Sequence, residues 1–162
     1  MTIKTKISFL GGNNYSRIGG NSILFETSRN NLVFSRFLID FGALFLNKDN
    51  REFKITPNII KYLDYCPSKK EKSGALFKYY KKEKDALAQK EGYTSLDGIF
   101  LTHIHEDHIG GIALLIKAGF LFPPIFASKE MIEDIIYKAS DYSIYSIFCI
   151  NYIVLLCACA II

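Results

Sequence analysis

Histidine is nearly absent from this chain of 162 residues: there are 3, all between positions 103 and 108. Cysteine is scarce and badly spaced for a scaffold. Cys66 stands alone, and Cys149, Cys157 and Cys159 lie near the C-terminal end, which excludes a disulfide framework and any Cys-x-x-Cys site. Cys157 and Cys159 have no partner ligands near them in sequence, so no metal is assigned to them. Gly11-Gly12 and Gly19-Gly20 lack the spacing and the lysine of a phosphate-binding loop, and read as turns between strands. The opening residues carry no signal-peptide pattern. Met1-Thr2-Ile3-Lys4 leads directly into an alternating strand with Ile3, Ile7 and Phe9 on one side, and the expected compartment is a reducing cytoplasm. Neither sign of charge dominates: the net charge is +4 with acids and bases interspersed, a weak footprint for a nucleic-acid partner. The apolar share of 49% and charged share of 22% are those of a globular protein, and the length suggests one domain or part of one.

The three histidines belong to Thr102-His103-Ile104-His105-Glu106-Asp107-His108-Ile109-Gly110-Gly111. Imidazole nitrogen and carboxylate oxygen suit zinc and similar divalent ions, so His103, His105, Asp107 and His108 are candidate metal ligands. A polar loop with structurally satisfied histidines is the plainer alternative for one histidine, and a poor account of this cluster. The apolar run at 96–101 reads as a buried strand. Residues 109–117 read as a helix with Ile109, Ile112, Ala113 and Ile116 on one face and Gly119 as its stop. The motif thus connects a strand to a helix. In an extended segment His103 and His105 point the same way, and Asp107 and His108 follow at the turn, so the segment offers two pairs of ligands.

This His-x-His-x-Asp-His run after an apolar strand, followed by Ile-Gly-Gly, resembles the metal-binding signature of the metallo-β-lactamase superfamily. Residues 7–12, 18–26 and 38–42, with their Gly-Gly turn, Ile-Gly-Gly-Asn stretch and Asp40-Phe41-Gly42, are similar to the opening of ribonuclease J and its β-CASP-type relatives. Glu106 within the motif also leans toward ribonuclease J. The resemblance spans about residues 3–135. It implies an α/β layered fold, the N-terminal portion of an αββα sandwich. It implies that His103 and His105 bind a first metal ion, and Asp107 and His108 a second. The ions, zinc or alternatively manganese, would activate a water for attack on a phosphodiester, as in RNA, or on an acyl centre. Asp40 would support the metal site from beneath, so Asp107 and Asp40 are the candidate catalytic carboxylates; a plain strand-end turn is the alternative for Asp40. The departure is equally informative. The family's complete two-metal site takes another histidine, a bridging aspartate and a last histidine from downstream, and no histidine follows His108. The expectation is the N-terminal part of a larger enzyme, a truncated or degraded product inactive alone, or one whose metal site a second chain completes.

Elsewhere, residues 3–10, 22–27 and 33–41 read as strands joined by Gly/Asn turns. Thr56 reads as a helix N-cap with Pro57 at the first helical position. Residues 67–74 read as a solvated loop and 75–91 as a charged helix closed by Gly92. That helix carries Lys78, Lys81, Lys82 and Lys84 with Tyr79 and Tyr80, which suits either a solvated face or contact with RNA. Pro123-Pro124 opens a strand at 125–127, and Ser128 caps a helix with Met131, Ile132, Ile135, Ile136 and Ala139 on one face. This alternation suits a layered α/β fold, and the domain is expected over residues 1–141. Residues 142–162 contain no charge and are long and apolar enough for a membrane span. Three readings of this tail stand open: a frameshifted product, a membrane anchor, and a buried segment. Three functions stand open with them: a ribonuclease J-like metal-dependent hydrolase, a non-catalytic remnant or partner subunit, and a small-molecule hydrolase such as a thioesterase or lactonase.

Overall fold

Alternating side chains over the first forty residues build antiparallel hairpins. β1 (Ile3–Gly11) pairs with β3 (Ser22–Arg29), after the short β2 (Ile18–Gly19), and β3 pairs with β4 (Leu32–Ile39). The β3–β4 turn is Asn30-Asn31 with both φ values positive, 50° and 66°, the backbone of a tight two-residue hairpin loop that asparagine tolerates. The computed structural model describes residues 2–11, 18–45, 53–54, 57–65, 74–140 and 153–155. Next along the chain come β5 (Leu44–Phe45), β6 (Phe53–Lys54), α1 (Pro57–Ile60), β7 (Asp64–Tyr65) and α2 (Ala75–Glu91). Then follow β8 (Gly98–Phe100), α3 (Glu106–Lys117), β9 (Phe120–Leu121), β10 (Ile125–Ala127), α4 (Lys129–Ser140) and β11 (Ile153–Leu155).

The main sheet runs β1-β3-β4-β8-β10-β11, antiparallel over its first three strands and parallel from β4 onward. Parallel pairing needs crossovers, which α2 and α3 help to supply. The fold is therefore mixed α/β. β2-β5-β6 and β7-β9 form two small antiparallel sheets. Register aligns Leu24, Leu38, Ile99 and Ile125 across the main sheet, and all four are buried. Each such side chain contributes roughly 1.5–3 kcal/mol of transfer free energy. Ile109, Ile112, Leu115 and Ile116 of α3 and Met131, Ile132 and Ile135 of α4 complete this core. The opposite face begins at β1, where Ile3, Ile7 and Phe9 share a side as the alternation requires and remain exposed.

Within the core layer sits a buried ion pair, Arg36 with Glu26. Arg36 on β4 is fully buried; its Nε donates to Glu26 Oε1 at 2.9 Å, and its other nitrogens donate to the Glu91 carboxylate and the Tyr93 carbonyl. Its guanidinium lies over the Tyr62 and Tyr93 rings, 5.2 and 5.5 Å from their centroids. The backbones of Arg36 and Asp97 are also joined, Asp97 N donating to Arg36 O at 2.7 Å. This knot ties the end of α2 to β4 and so sets where β8 enters the sheet. Burial alone would raise the Glu26 carboxyl, but hydrogen bonds from Arg36 and Lys6 outweigh it and hold it below the ordinary value.

Most elements fall where periodicity predicts, with informative differences. α2 spans 75–91 as expected and ends at Gly92, whose φ of 71° needs no side-chain concession. It is more than a solvated face. Tyr80 is buried, edge-on to Tyr65 and Phe120, and donates its hydroxyl to Leu63 O at 3.1 Å. Lys84 Nζ donates to Leu63 O and Thr94 O. Tyr80 and Lys84 are thus structural, which leaves Lys78, Lys81, Lys82 and Tyr79 as the exposed part of that basic surface. α3 begins at Glu106, three residues before the expected start, because two acids in its first turn complement the positive end of the helix dipole. β4 stops at Ile39, before the expected 41, because Asp40 turns left-handed. On α4, Ile136 faces solvent instead of joining the apolar face, whereas Ser128 caps as expected, its Oγ accepting from Met131 N. Thr56, Cys66, residues 67–73 and all of 142–162 except Ile153–Leu155 lie outside the described residues. Among the described residues, no helix is long and apolar enough to cross a membrane.

Candidate metal centre

The centre forms where three backbone segments are stitched together. The N–H groups of Phe41 and Ala43 donate to the carbonyls of His108 and Glu106, and Gly111 N donates back to Phe41 O. Asn21 N donates to Asp107 O at 2.9 Å, and Gly20 N to Ala43 O at 2.8 Å. The first turn of α3 therefore lies directly on the 40–43 segment. Two glycines make that approach feasible. A Cβ on Gly42 would lie 1.7 Å from the Asp107 carbonyl oxygen, and one on Gly111 would lie 2.6 Å from the Phe41 ring. Gly42 of Asp-Phe-Gly and Gly111 of Ile-Gly-Gly are in effect a matched pair, each vacating space for the other's segment.

Asp40 stands at the centre of the stitching. Its φ of 60° is uncommon for a residue with a side chain, and such conformations persist only where the surroundings over-determine them. They do so here. Asp40 N donates to Phe100 O, and Asp40 Oδ1 accepts from Thr102 N at 2.8 Å. Thr102 Oγ1 lies 2.9 Å from both carboxylate oxygens. His108 Nδ1 lies 2.7 Å from Asp40 Oδ2. A carboxylate can only accept, so His108 carries a proton on Nδ1; in the neutral imidazole that metal binding requires, the lone pair is on Nε2, turned away from Asp40. The same logic extends to His103. Its Nδ1 is 3.0 Å from Thr102 Oγ1; with the hydroxyl proton directed to Asp40, that oxygen accepts from Nδ1–H and leaves Nε2 of His103 a bare donor atom. One buried aspartate thus organises two imidazoles.

His103, Asp107 and His108 each present a ligand atom, and these atoms lie within 4.8 Å of one another. Two imidazoles and a carboxylate form a donor set that fits a divalent cation of the zinc type. His105, the fourth expected ligand, is the N-cap residue of α3; it is exposed, and its ring lies 4.8 Å from that of His103, centroid to centroid. The three-residue convergence does not include it. Beside the cluster opens a cleft of about 400 Å³ lined in part by Phe9, Asn21, Ser22, Ile23, Asp40 and His108. Sequence reasoning missed Thr102 and Asn21 as members of the site. Thr102 carries no signal beyond adjacency to the motif, whereas Asn21 lies in the Ile-Gly-Gly-Asn stretch.

A search of curated proteins finds no match to this chain. A family model described as the metallo-beta-lactamase superfamily matches residues 78–121, a segment running from within α2 through β8 and the histidine motif to the end of β9. The mixed sheet with its helices is consistent with part of the α/β fold of that family. That segment, together with the His/Asp cluster, is similar to the metallo-beta-lactamase superfamily, a superfamily of metal-dependent hydrolases.

Proposed function

We propose that this chain carries the metal-binding half-site of a zinc-dependent hydrolase resembling ribonuclease J, with RNA or another phosphodiester as substrate. The observation that carries the reading is the convergence of His103, Asp107 and His108 above a carboxylate, Asp40, that fixes the imidazole protons away from the ligand atoms. The ion would be held by those three residues, with His105 near enough in sequence to join on a modest turn of the loop. A bound divalent ion supplies a water of lowered pKa and polarises the electrophile. The chain's own contribution is to hold donor atoms bare, to hold a proton at His108 Nδ1, and to place an open cleft next to them. The exposed Lys78, Lys81 and Lys82 of α2 would supply phosphate contacts to a polyanion.

A second reading, a non-catalytic remnant or partner subunit, is favoured by the count of converging donors. Three are described, whereas hydrolysis at a two-metal centre requires a fuller shell. Zinc titration by calorimetry separates the metal reading from its alternative. The wild-type chain should bind zinc and a His103→Ala/His108→Ala variant should not; equal binding by both removes the metal assignment. Incubation of the zinc-loaded chain with RNA then separates enzyme from remnant. Turnover that disappears in Asp107→Ala supports the enzyme, and intact RNA supports the remnant or a centre completed by a second chain.

A further inference from the structure

We infer that Asn21 is a positioning residue of the metal centre, which holds Asp107 and His108 at ligand spacing by spanning them with its side-chain amide. The inference rests on the metal reading above and adds a residue to it. Asn21 Nδ2 donates to Asp107 Oδ2 at 2.9 Å and lies 2.9 Å from His108 Nε2. The amide orientation follows from the network. Metal binding requires a neutral imidazole; in that form, with Asp40 holding the proton on Nδ1, the His108 Nε2 can only accept, and the group facing it is the NH2 end of Asn21. One amide nitrogen thereby uses both its hydrogens on two different ligand atoms.

The position of Asn21 is itself fixed. Its N–H donates to Asp107 O, its carbonyl accepts from Gly42 N at 3.1 Å and from Ser22 Oγ at 2.6 Å, and Ser22 is fully buried. Gly20 precedes it with a φ of 72°, a turn that a side chain would resist. Asn21 is thus pinned to the same two segments that carry Asp40 and the first turn of α3. When a cation takes the His108 Nε2 lone pair, the bond to Asp107 can persist, because a carboxylate has lone pairs enough for an ion and an N–H together. Asn21 then acts as partners in the outer shell of metal sites do, orienting a ligand it does not replace.

The test uses the full chain and zinc alone, in Asn21→Ala and Asn21→Asp variants. Removing an outer-shell partner lowers affinity roughly 10–100-fold, and that loss is expected for Asn21→Ala. Asn21→Asp places a carboxylate within reach of both ligand atoms. It repels Asp107 in the metal-free chain and becomes an additional donor in the presence of zinc, so its affinity should equal or exceed that of the wild type. Its cobalt(II) absorption bands should shift accordingly. A role in folding alone would instead weaken both variants in parallel with a fall in metal-free Tm. That parallel loss overturns the inference, as does unchanged or tighter binding by Asn21→Ala. Absence of zinc binding by the wild-type chain overturns the metal reading and this inference with it, whereas wild-type binding with an unaffected Asn21→Ala overturns only the latter.

Discussion

Asp40 and His108 are 68 positions apart in sequence, yet Asp40 Oδ2 and His108 Nδ1 lie 2.7 Å apart. The contact joins the end of β4 to the first turn of α3, and it settles which imidazole nitrogen faces the ligand cluster.

Asp40→Ala should therefore weaken zinc binding roughly 10–100-fold, the usual effect of losing the partner that orients a metal-binding histidine. It also places alanine at a φ of 60°, which costs about 1–2 kcal/mol of folding stability. Asp40→Asn tolerates that backbone and keeps an oxygen able to accept from Nδ1–H, so its loss should be smaller on both counts. Zinc competition titration and thermal denaturation of the two variants check this. Wild-type affinity in Asp40→Ala would show that the tautomer is set by something else.

Gly42→Ala should disrupt the centre at its foundation. The added Cβ would lie 1.7 Å from a backbone oxygen, that of Asp107, and 2.8 Å from the Asn21 backbone nitrogen. Backbone on both sides leaves no flexible side chain to yield. We expect about 3 kcal/mol of destabilisation, the upper part of the usual overpacking range, together with loss of zinc binding. Denaturant unfolding measures the first and calorimetry the second. A variant with unaltered stability would mean that α3 does not lie on the 40–43 segment as described.

The histidine motif and the apolar strand before it are legible in sequence because ligand chemistry restricts residue type and because side-chain alternation is a local property. The strand to helix transition at β8 and α3 follows for the same reason. The clustering of Asp40, Thr102 and Asn21 is not legible without a resemblance, since it depends on which strands become neighbours. The expected end of β4 fails for a related reason: an apolar Phe41 continues the pattern, but Asp40 is forced left-handed by four hydrogen-bond partners distant in sequence. The buried Arg36 is invisible too. Arginine in an alternating strand suggests a solvent-facing position, and only the tertiary pairing with Glu26 and Glu91 reverses that.

Arg36→Leu should be among the most damaging substitutions away from the metal centre. It would leave Glu26 and Glu91 near each other without their shared cation, and removing one partner of a buried ion pair costs roughly 3–5 kcal/mol. The same knot gives the wild type an acid dependence. Glu26 has a folded pKa below its ordinary 4.5, so in acid the unfolded chain binds more protons than the folded one. The stabilisation is fully present above the unfolded value and is lost as pH falls through the folded value. Urea midpoints should drop below about pH 4.5 in the wild type, and Glu26→Gln should flatten that part of the profile. An unchanged profile in Glu26→Gln would place the acid sensitivity elsewhere.

The uncharged segment at 142–162 is the place where sequence pattern and tertiary contact bear on the same question from different sides. Its composition sets it apart from the amphipathic α4 that precedes it. Yet Ile153–Leu155 pairs in parallel with β10, Ile125 opposite Ile153 and Ala127 opposite Leu155, as the outermost strand of the main sheet. An outermost strand of three residues contributes pairing on one side only, and every hydrogen bond that builds the metal centre lies between Gly20 and Gly111. We therefore expect a chain ending at residue 141 to keep the secondary structure and zinc affinity of the full chain, with higher solubility because an apolar, uncharged segment is gone. The newly exposed edge of β10 is short, which limits the association that an open strand edge invites. Circular dichroism, zinc titration and sedimentation of the two chains make the comparison. Collapse of the secondary structure in the shortened chain would make β11 an integral part of the sheet, whereas vesicle binding by the full chain alone would favour a membrane anchor.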